Sequence, residues 1–118
     1  MVKIKISELV VRVYTFEGYV VVPIRLTEVY KSLKWDMRER YDGYHGMVRR
    51  LYNHNDVHCW EDFQNLKQSI EVEGFDKGFP IIVCERNGMF EIVDGQHRAA
   101  IMLFLGKENI EFIRGVEE

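Results

Sequence analysis

The stretch Phe90-Glu91-Ile92-Val93-Asp94-Gly95-Gln96-His97-Arg98-Ala99-Ala100-Ile101-Met102-Leu103-Phe104-Leu105-Gly106 decides how this chain reads. Residues 90 to 93 are apolar or β-branched at most positions and predict a strand that stops at Asp-Gly. The run from Ala99 to Leu105, closed by Gly106, predicts a helix. Asp94 to Arg98 then stand at the helix's first turn, where backbone N–H groups lack intrahelical acceptors and the dipole places about +0.5 charge. A phosphate can bind at such an end. Gly95 is expected to let a ligand approach the backbone. Arg98 offers a planar fork for two phosphate oxygens, His97 a hydrogen-bond donor or proton carrier, and Asp94 a carboxylate for a metal ion or a hydroxyl. A plainer reading has Asp94 cap a buried helix, with Gly95 making the turn and the two cations solvated. Against it, a cation pair at a helix amino end opposes the dipole by a few tenths to about 1 kcal/mol unless an anion compensates.

Working outward, Pro80 leads the strand Ile81-Ile82-Val83-Cys84, and Arg86-Asn87-Gly88 turns it into the strand from Met89. A first-residue or edge position suits Pro80, which cannot donate to a ladder. From about Val57, the residues Trp60, Phe63, Leu66 and Ile70 recur at helical spacing, and Gly74 supplies the stop. Nearer the start, Lys3 to Ile6 alternates, and the runs Val10 to Phe16 and Tyr19 to Val22 flank Glu17-Gly18 as a two-residue hairpin turn. A short helix from Thr27 to about Lys34 follows, with Thr27 as its cap. The stretch from Trp35 to Asn55 is the least regular, with a helix expected only over Met47 to Tyr52. The last strand covers Ile110 to Ile113. The helix from Ala99 is apolar on nearly every face and should be buried on most sides, with Ala99-Ala100 allowing close approach to the sheet. No repeat, low-complexity tract or linker divides the chain. These elements predict an α/β (α+β) fold, a small mixed sheet with packed helices, as one domain over residues 1–118.

Composition limits the partners. Sixteen basic residues against nineteen acidic ones give a net charge of −3, which disfavours a free-standing DNA binder, because such proteins draw most of their affinity from neutralising phosphates. The local cluster Arg38, Arg40, Arg49 and Arg50 is interleaved with Asp36, Glu39 and Asp42 and reads as a solvated face. No run approaches the roughly 18 apolar residues of a membrane span, and the start carries no secretion signal pattern, so a cytoplasmic protein is expected. Cys59 and Cys84 give no disulfide framework and read as packing residues or idle thiols. His45, His54, His58 and Cys59 match no strong zinc spacing, and metal binding there is disfavoured.

With residues 66–74, 80–83, 91–100 and 105–106 on the page, the chain resembles the ParB/sulfiredoxin superfamily over roughly residues 60 to 114. The order of helix, glycine, proline-led strand, hairpin and Gly-x-x-Arg helix start is specific as a set. The resemblance implies a domain whose Gly-x-x-Arg turn binds nucleotide phosphates. Family members use it for CTP hydrolysis in chromosome partitioning, for ATP-dependent repair of a sulfinic acid, or for phosphorylation of free serine. Sulfiredoxins place their catalytic cysteine immediately before the His-Arg pair, where this chain has Gln96, so sulfinic acid reduction is not expected. Partitioning proteins usually carry two arginines in the turn, where this chain has His97-Arg98, and a helix-turn-helix follows their domain, which is not expected within these 118 residues. The free serine kinases share the Asp-Gly-x-His-Arg pattern and an acidic residue after the first strand of the domain. Glu28, in Val22-Pro23-Ile24-Arg25-Leu26-Thr27-Glu28, stands at a comparable place. It is a candidate base or metal-linked carboxylate, or else an ordinary first-turn residue behind Thr27.

The resemblance thus implies a nucleotide-binding domain that hydrolyses a nucleotide or transfers a phosphoryl group to a small hydroxyl-bearing acceptor. Its ligand would be CTP, ATP or ADP with Mg²⁺. Candidate catalytic residues are Glu28, Asp94 and His97. Gly95, Gln96, His97 and Arg98 would hold phosphates, and Asp94 the metal. Phosphoryl transfer asks mainly for positioning and charge stabilisation, which such a turn can supply. The alternative is a non-enzymatic DNA-associated or protein-interaction module, and a homodimer is left open. Residues 41–58 would be an insertion that covers the nucleotide site or shapes a second pocket. Tyr41, Tyr44 and His45 read first as aromatic packing and second as a lid.

Overall fold

Alternation of apolar side chains along short strands builds the sheet, and the computed structural model describes it over residues 2–52, 59–75 and 81–114. Six strands, β1 (Val2–Lys5), β2 (Leu9–Thr15), β3 (Gly18–Pro23), β4 (Ile81–Arg86), β5 (Met89–Asp94) and β6 (Asn109–Arg114), lie in the order β1-β6-β4-β5-β2-β3. The pairs β2/β5 and β4/β6 are parallel and the other three antiparallel, so the sheet is mixed, as the sequence predicts. On one face Leu9, Val11, Ile81, Val83 and Ile92 are buried.

Turn chemistry sets both hairpins. Asn87 and Gly88 take φ of 53° and 75° between the paired residues Arg86 and Met89. Two positive φ values are what a two-residue turn matched to strand twist requires. In the first hairpin Thr15 pairs with Gly18, so the turn is Phe16-Glu17, one residue earlier than the expected Glu17-Gly18. Gly18 carries the positive φ, 136°, as the first residue of the return strand and not within the turn.

Among the described residues, four α-helices follow from capping and amphipathic spacing. For α1 (Glu28–Lys34), Thr27 is the N-cap: its hydroxyl accepts from the Tyr30 amide at 3.1 Å and donates to the Ile24 carbonyl at 2.7 Å. Helix α3 (Trp60–Glu73) buries Phe63 and Ile70 and ends at Gly74, φ 82°. Its expected start near Val57 lies outside the described residues, as do Pro80, His54 and His58. Helix α4 (Gln96–Phe104) closes with the Gly106 amide on Leu103 O and the Lys107 amide on Met102 O, both 3.0 Å, a Schellman ending.

Helix α2 (Arg38–Tyr52) departs most from the sequence reading, which gave a helix only from Met47. It is continuous through Gly43 and Gly46, each of which costs about 1 kcal/mol against alanine in a helix interior. Tertiary anchors offset that cost. Tyr41, His45 and Val48, spaced four and three apart, are buried on one face. From the same helix, the Tyr44 hydroxyl accepts the Tyr14 amide at 3.1 Å, and Tyr52 Oη donates to the carbonyls of Thr15 and Gly18. These bonds tie α2 to the first hairpin.

Helix α4 packs on β4 with α1 and α3 beside it. Ala99, Ala100 and Ile101 are fully buried. Its outer face emerges more than expected: Phe104 is 37% exposed, its ring 5.2 Å from the Lys67 ammonium. Burying a side chain such as Phe63 or Ile101 contributes roughly 1.5–3 kcal/mol, so this junction holds the α4 amino end firmly. Cys84 is buried in β4 and Cys59 is exposed. Among the described residues, no helix is long and apolar enough to cross a membrane.

Candidate functional site

The turn between β5 and α4 is set by one close approach. Gly95 is the N-cap of α4, with φ 106° and ψ 23°, and its carbonyl accepts the Ala99 amide at 2.9 Å. A Cβ at Gly95 would lie 2.9 Å from Ile81 Cγ1 and 3.3 Å from Ile81 Cα. β4 by itself therefore requires the missing side chain, a constraint separate from the ligand approach that the sequence reading expects there. Asp94 is exposed and pairs with Ile82 in the sheet; it does not occupy the cap position. Because the cap residue is glycine, no side chain caps α4.

Beside this turn lies a cleft of about 120 Å³, lined by residues 94–98 and by Asp62, Phe63 and Leu66 of α3. Asp94, Gly95, Gln96, His97 and Arg98 thus meet at one place. Asp62 and Phe63 belong to the first turn of α3, so two helix amino ends converge on the cleft, and their dipoles add a positive field there. Gln96 Nε2 is buried and has no hydrogen-bond partner among the described residues. A buried amide donor left unsatisfied costs about 1–3 kcal/mol.

His97 is held from beneath. Its Nε2 lies 3.1 Å from Tyr41 Oη. Tyr41 is 1% exposed, its ring stacked on Phe63 at 5.0 Å and on His45 at 4.1 Å between centroids, with Trp60 edge-on at 5.6 Å. Burial pushes the Tyr41 phenol well above its ordinary range, so it stays protonated. His45 Nδ1 donates to the Tyr41 carbonyl at 3.0 Å, which places its proton on that nitrogen. Tyr41 and His45 are therefore core aromatics under the site, in agreement with the packing reading.

Glu28 is elsewhere. Both its oxygens accept from Arg40 Nη1, at 2.9 and 3.2 Å, and Arg40 in turn lies 4.8 Å over the Trp35 ring. Glu28 is not among the residues lining the cleft, and the carboxylate from outside the motif that does line it is Asp62. The reason is packing: the α1 start faces α2 through the Arg40 pair, while α3 brings its own first-turn acid to α4. Asp62 was legible only as an acid that complements a helix dipole. Nothing in the sequence marked the Tyr41 hydroxyl as a partner of His97.

Among the described residues, no group of three or more histidines, cysteines or carboxylates is arranged to hold a metal. Asp94 and Asp62 are both exposed carboxylates at the cleft. That fits Mg²⁺ bound in the usual nucleotide manner, with one or two carboxylates and the ligand's own phosphate oxygens. Elsewhere, Arg38 pairs with Asp42 and Glu61, each at 2.9 Å, as expected for a solvated face.

Compared with known proteins, the chain matches no family model, and no match is found among curated proteins.

Proposed function

We propose that the 94–98 turn binds the phosphates of a nucleotide, and that the chain is a ParB/sulfiredoxin-like domain that hydrolyses the nucleotide or passes its phosphoryl group to a small hydroxyl acceptor. The observation that carries this reading is a cleft lined by residues 94–98, where an uncapped helix start, His97 and Arg98 come together. Each is a donor or positive dipole suited to phosphate oxygens. The enclosed volume, about 120 Å³, is smaller than the ~300 Å³ of pockets that enclose whole ligands. The cleft therefore takes the phosphate end, with the base and sugar on the open surface outside it.

Asp94, with Asp62 opposite, would share Mg²⁺ with the phosphates, and the ion supplies charge neutralisation on the transferred group. Arg98 holds equatorial oxygens with its fork, and the backbone amides of the uncapped helix start add donors that need no reorganisation. The acidic balance of the chain favours this reading over a DNA-binding one.

The test is a thermal-shift panel of CTP, ATP, ADP and GTP, with and without Mg²⁺, on wild type and Arg98→Ala. A ligand at 100 times its Kd adds about 2.7 kcal/mol. The expected result is a nucleotide-specific, Mg²⁺-dependent rise that is lost in a folded Arg98→Ala. No shift with any nucleotide, or a shift retained by the variant, overturns the assignment.

A further inference from the structure

We infer that Tyr41 is a positioning residue that fixes His97 as its Nδ1–H tautomer, so that the imidazole meets a phosphate oxygen as a hydrogen-bond donor and does not serve as the base. The donor role rests on the phosphate-binding reading above; the tautomer does not.

The argument begins with where the phenol proton goes. Tyr41 is 1% exposed, and its hydroxyl has one polar partner among the described residues, His97 Nε2 at 3.1 Å. If Nε2 carried the proton and donated to Oη, the phenol O–H would be buried with no acceptor among the described residues, an arrangement native structures avoid. The hydroxyl therefore donates, Nε2 accepts, and the ring's proton sits on Nδ1. Burial keeps the phenol protonated, so the donor does not vanish in the neutral range.

Orientation is fixed along with the tautomer. Tyr41 is clamped between His45 and Phe63, and its carbonyl accepts His45 Nδ1–H at 3.0 Å. Phe63 also meets the His97 ring edge-on at 5.0 Å. The angle at which His97 enters the cleft is thus imposed by α2 and α3 and not by its own helix. With the Nε2 lone pair taken by the phenol, proton removal from an acceptor hydroxyl falls to a carboxylate of the cleft, Asp62 or Asp94.

Two measurements decide it. Side-chain ¹⁵N spectra of histidine-labelled, ligand-free wild type at neutral pH should show His97 protonated at Nδ1 and accepting at Nε2. Tyr41→Phe should move the population toward Nε2–H. Binding of the nucleotide selected by the panel is then compared in His97→Asn, whose amide nitrogen takes the place of Nδ1, and His97→Gln, whose amide nitrogen takes the place of Nε2. His97→Asn should stay within about threefold of wild type and His97→Gln should lose about tenfold or more, the size of one hydrogen bond to a charged group. Tyr41→Phe should weaken binding about fivefold in wild type and have no further effect in His97→Asn, as expected for residues acting through one contact. An Nε2–H tautomer in wild type, or tighter binding by Gln than by Asn, overturns the inference. If Tyr41→Phe does not fold, the wild-type spectrum and the Asn/Gln pair still decide. If wild type binds no nucleotide, the phosphate reading and the donor role both fail, while the spectrum alone judges the tautomer.

Discussion

Replacing Gly95 by alanine should damage the fold more than replacing any other positive-φ glycine, and the excess can be worked from two distances. Gly95 has φ 106°, and Gly106, at the other end of α4, has φ 83°. Alanine in that region costs about 1–2 kcal/mol at either site for backbone strain alone. At Gly106 a Cβ meets nothing within 4 Å, whereas at Gly95 it falls 2.9 Å from Ile81 Cγ1 and 3.3 Å from Ile81 Cα. Rotating the Ile81 side chain relieves the first contact but not the second, because that atom is backbone in a central strand. Overpacking of this kind adds about 1–3 kcal/mol. Gly95→Ala should therefore lose roughly 2–5 kcal/mol and Gly106→Ala roughly 1–2. Urea unfolding of both variants beside wild type measures this, read as a fall in midpoint at unchanged m. Equal losses at the two sites would refute the claim that close approach to β4 dictates the glycine.

Three further outcomes follow from named contacts. Thr27→Ala removes both the acceptor for the Tyr30 amide and the donor to Ile24 O, and should cost about 1–2 kcal/mol in urea melts, while Thr27→Ser keeps most of it. Tyr44→Phe leaves the part-buried Tyr14 amide without its acceptor and should cost about 1–3 kcal/mol, with hydrogen exchange at Tyr14 rising more than elsewhere in β2. Burial raises the phenols of Tyr41 and Tyr44 above the ordinary value of about 10. Since the folded values lie above the unfolded one, the associated stability is intact below about pH 10 and falls as pH rises beyond it. Tyrosinate absorbance from these two should appear only together with loss of helical circular dichroism; a reversible component titrating early in both would contradict their burial.

Much of the site-bearing unit was legible because its signals are local. The strand-to-helix change at Asp94-Gly95, the Asn87-Gly88 turn, the Thr27 cap and the Gly106 ending each depend on residues within one turn of one another. The reading missed where the outcome rests on distant partners. Gly43 and Gly46 argued against a helix over α2, yet the buried Tyr41 and the Tyr44 and Tyr52 bonds to the first hairpin hold it, at separations of 30 and more residues. Gly95 was legible as a special position, but its contact with Ile81 was not, because Ile81 is fourteen positions away in sequence and adjacent only through the sheet.

The sequence by itself determined the mixed α+β class, most element positions and the strand-to-helix turn at Asp94-Gly95, because periodicity, caps and turn residues act over a few bonds. Tertiary structure alone decided which side chains face that start. It turned Glu28 toward Arg40 and brought Asp62 to the cleft, and it set Tyr41 under His97 across 56 residues. Those meetings are fixed by how α1, α2 and α3 share the burial of one core around α4. Burial is a property of the whole packed molecule, and no window of sequence contains it.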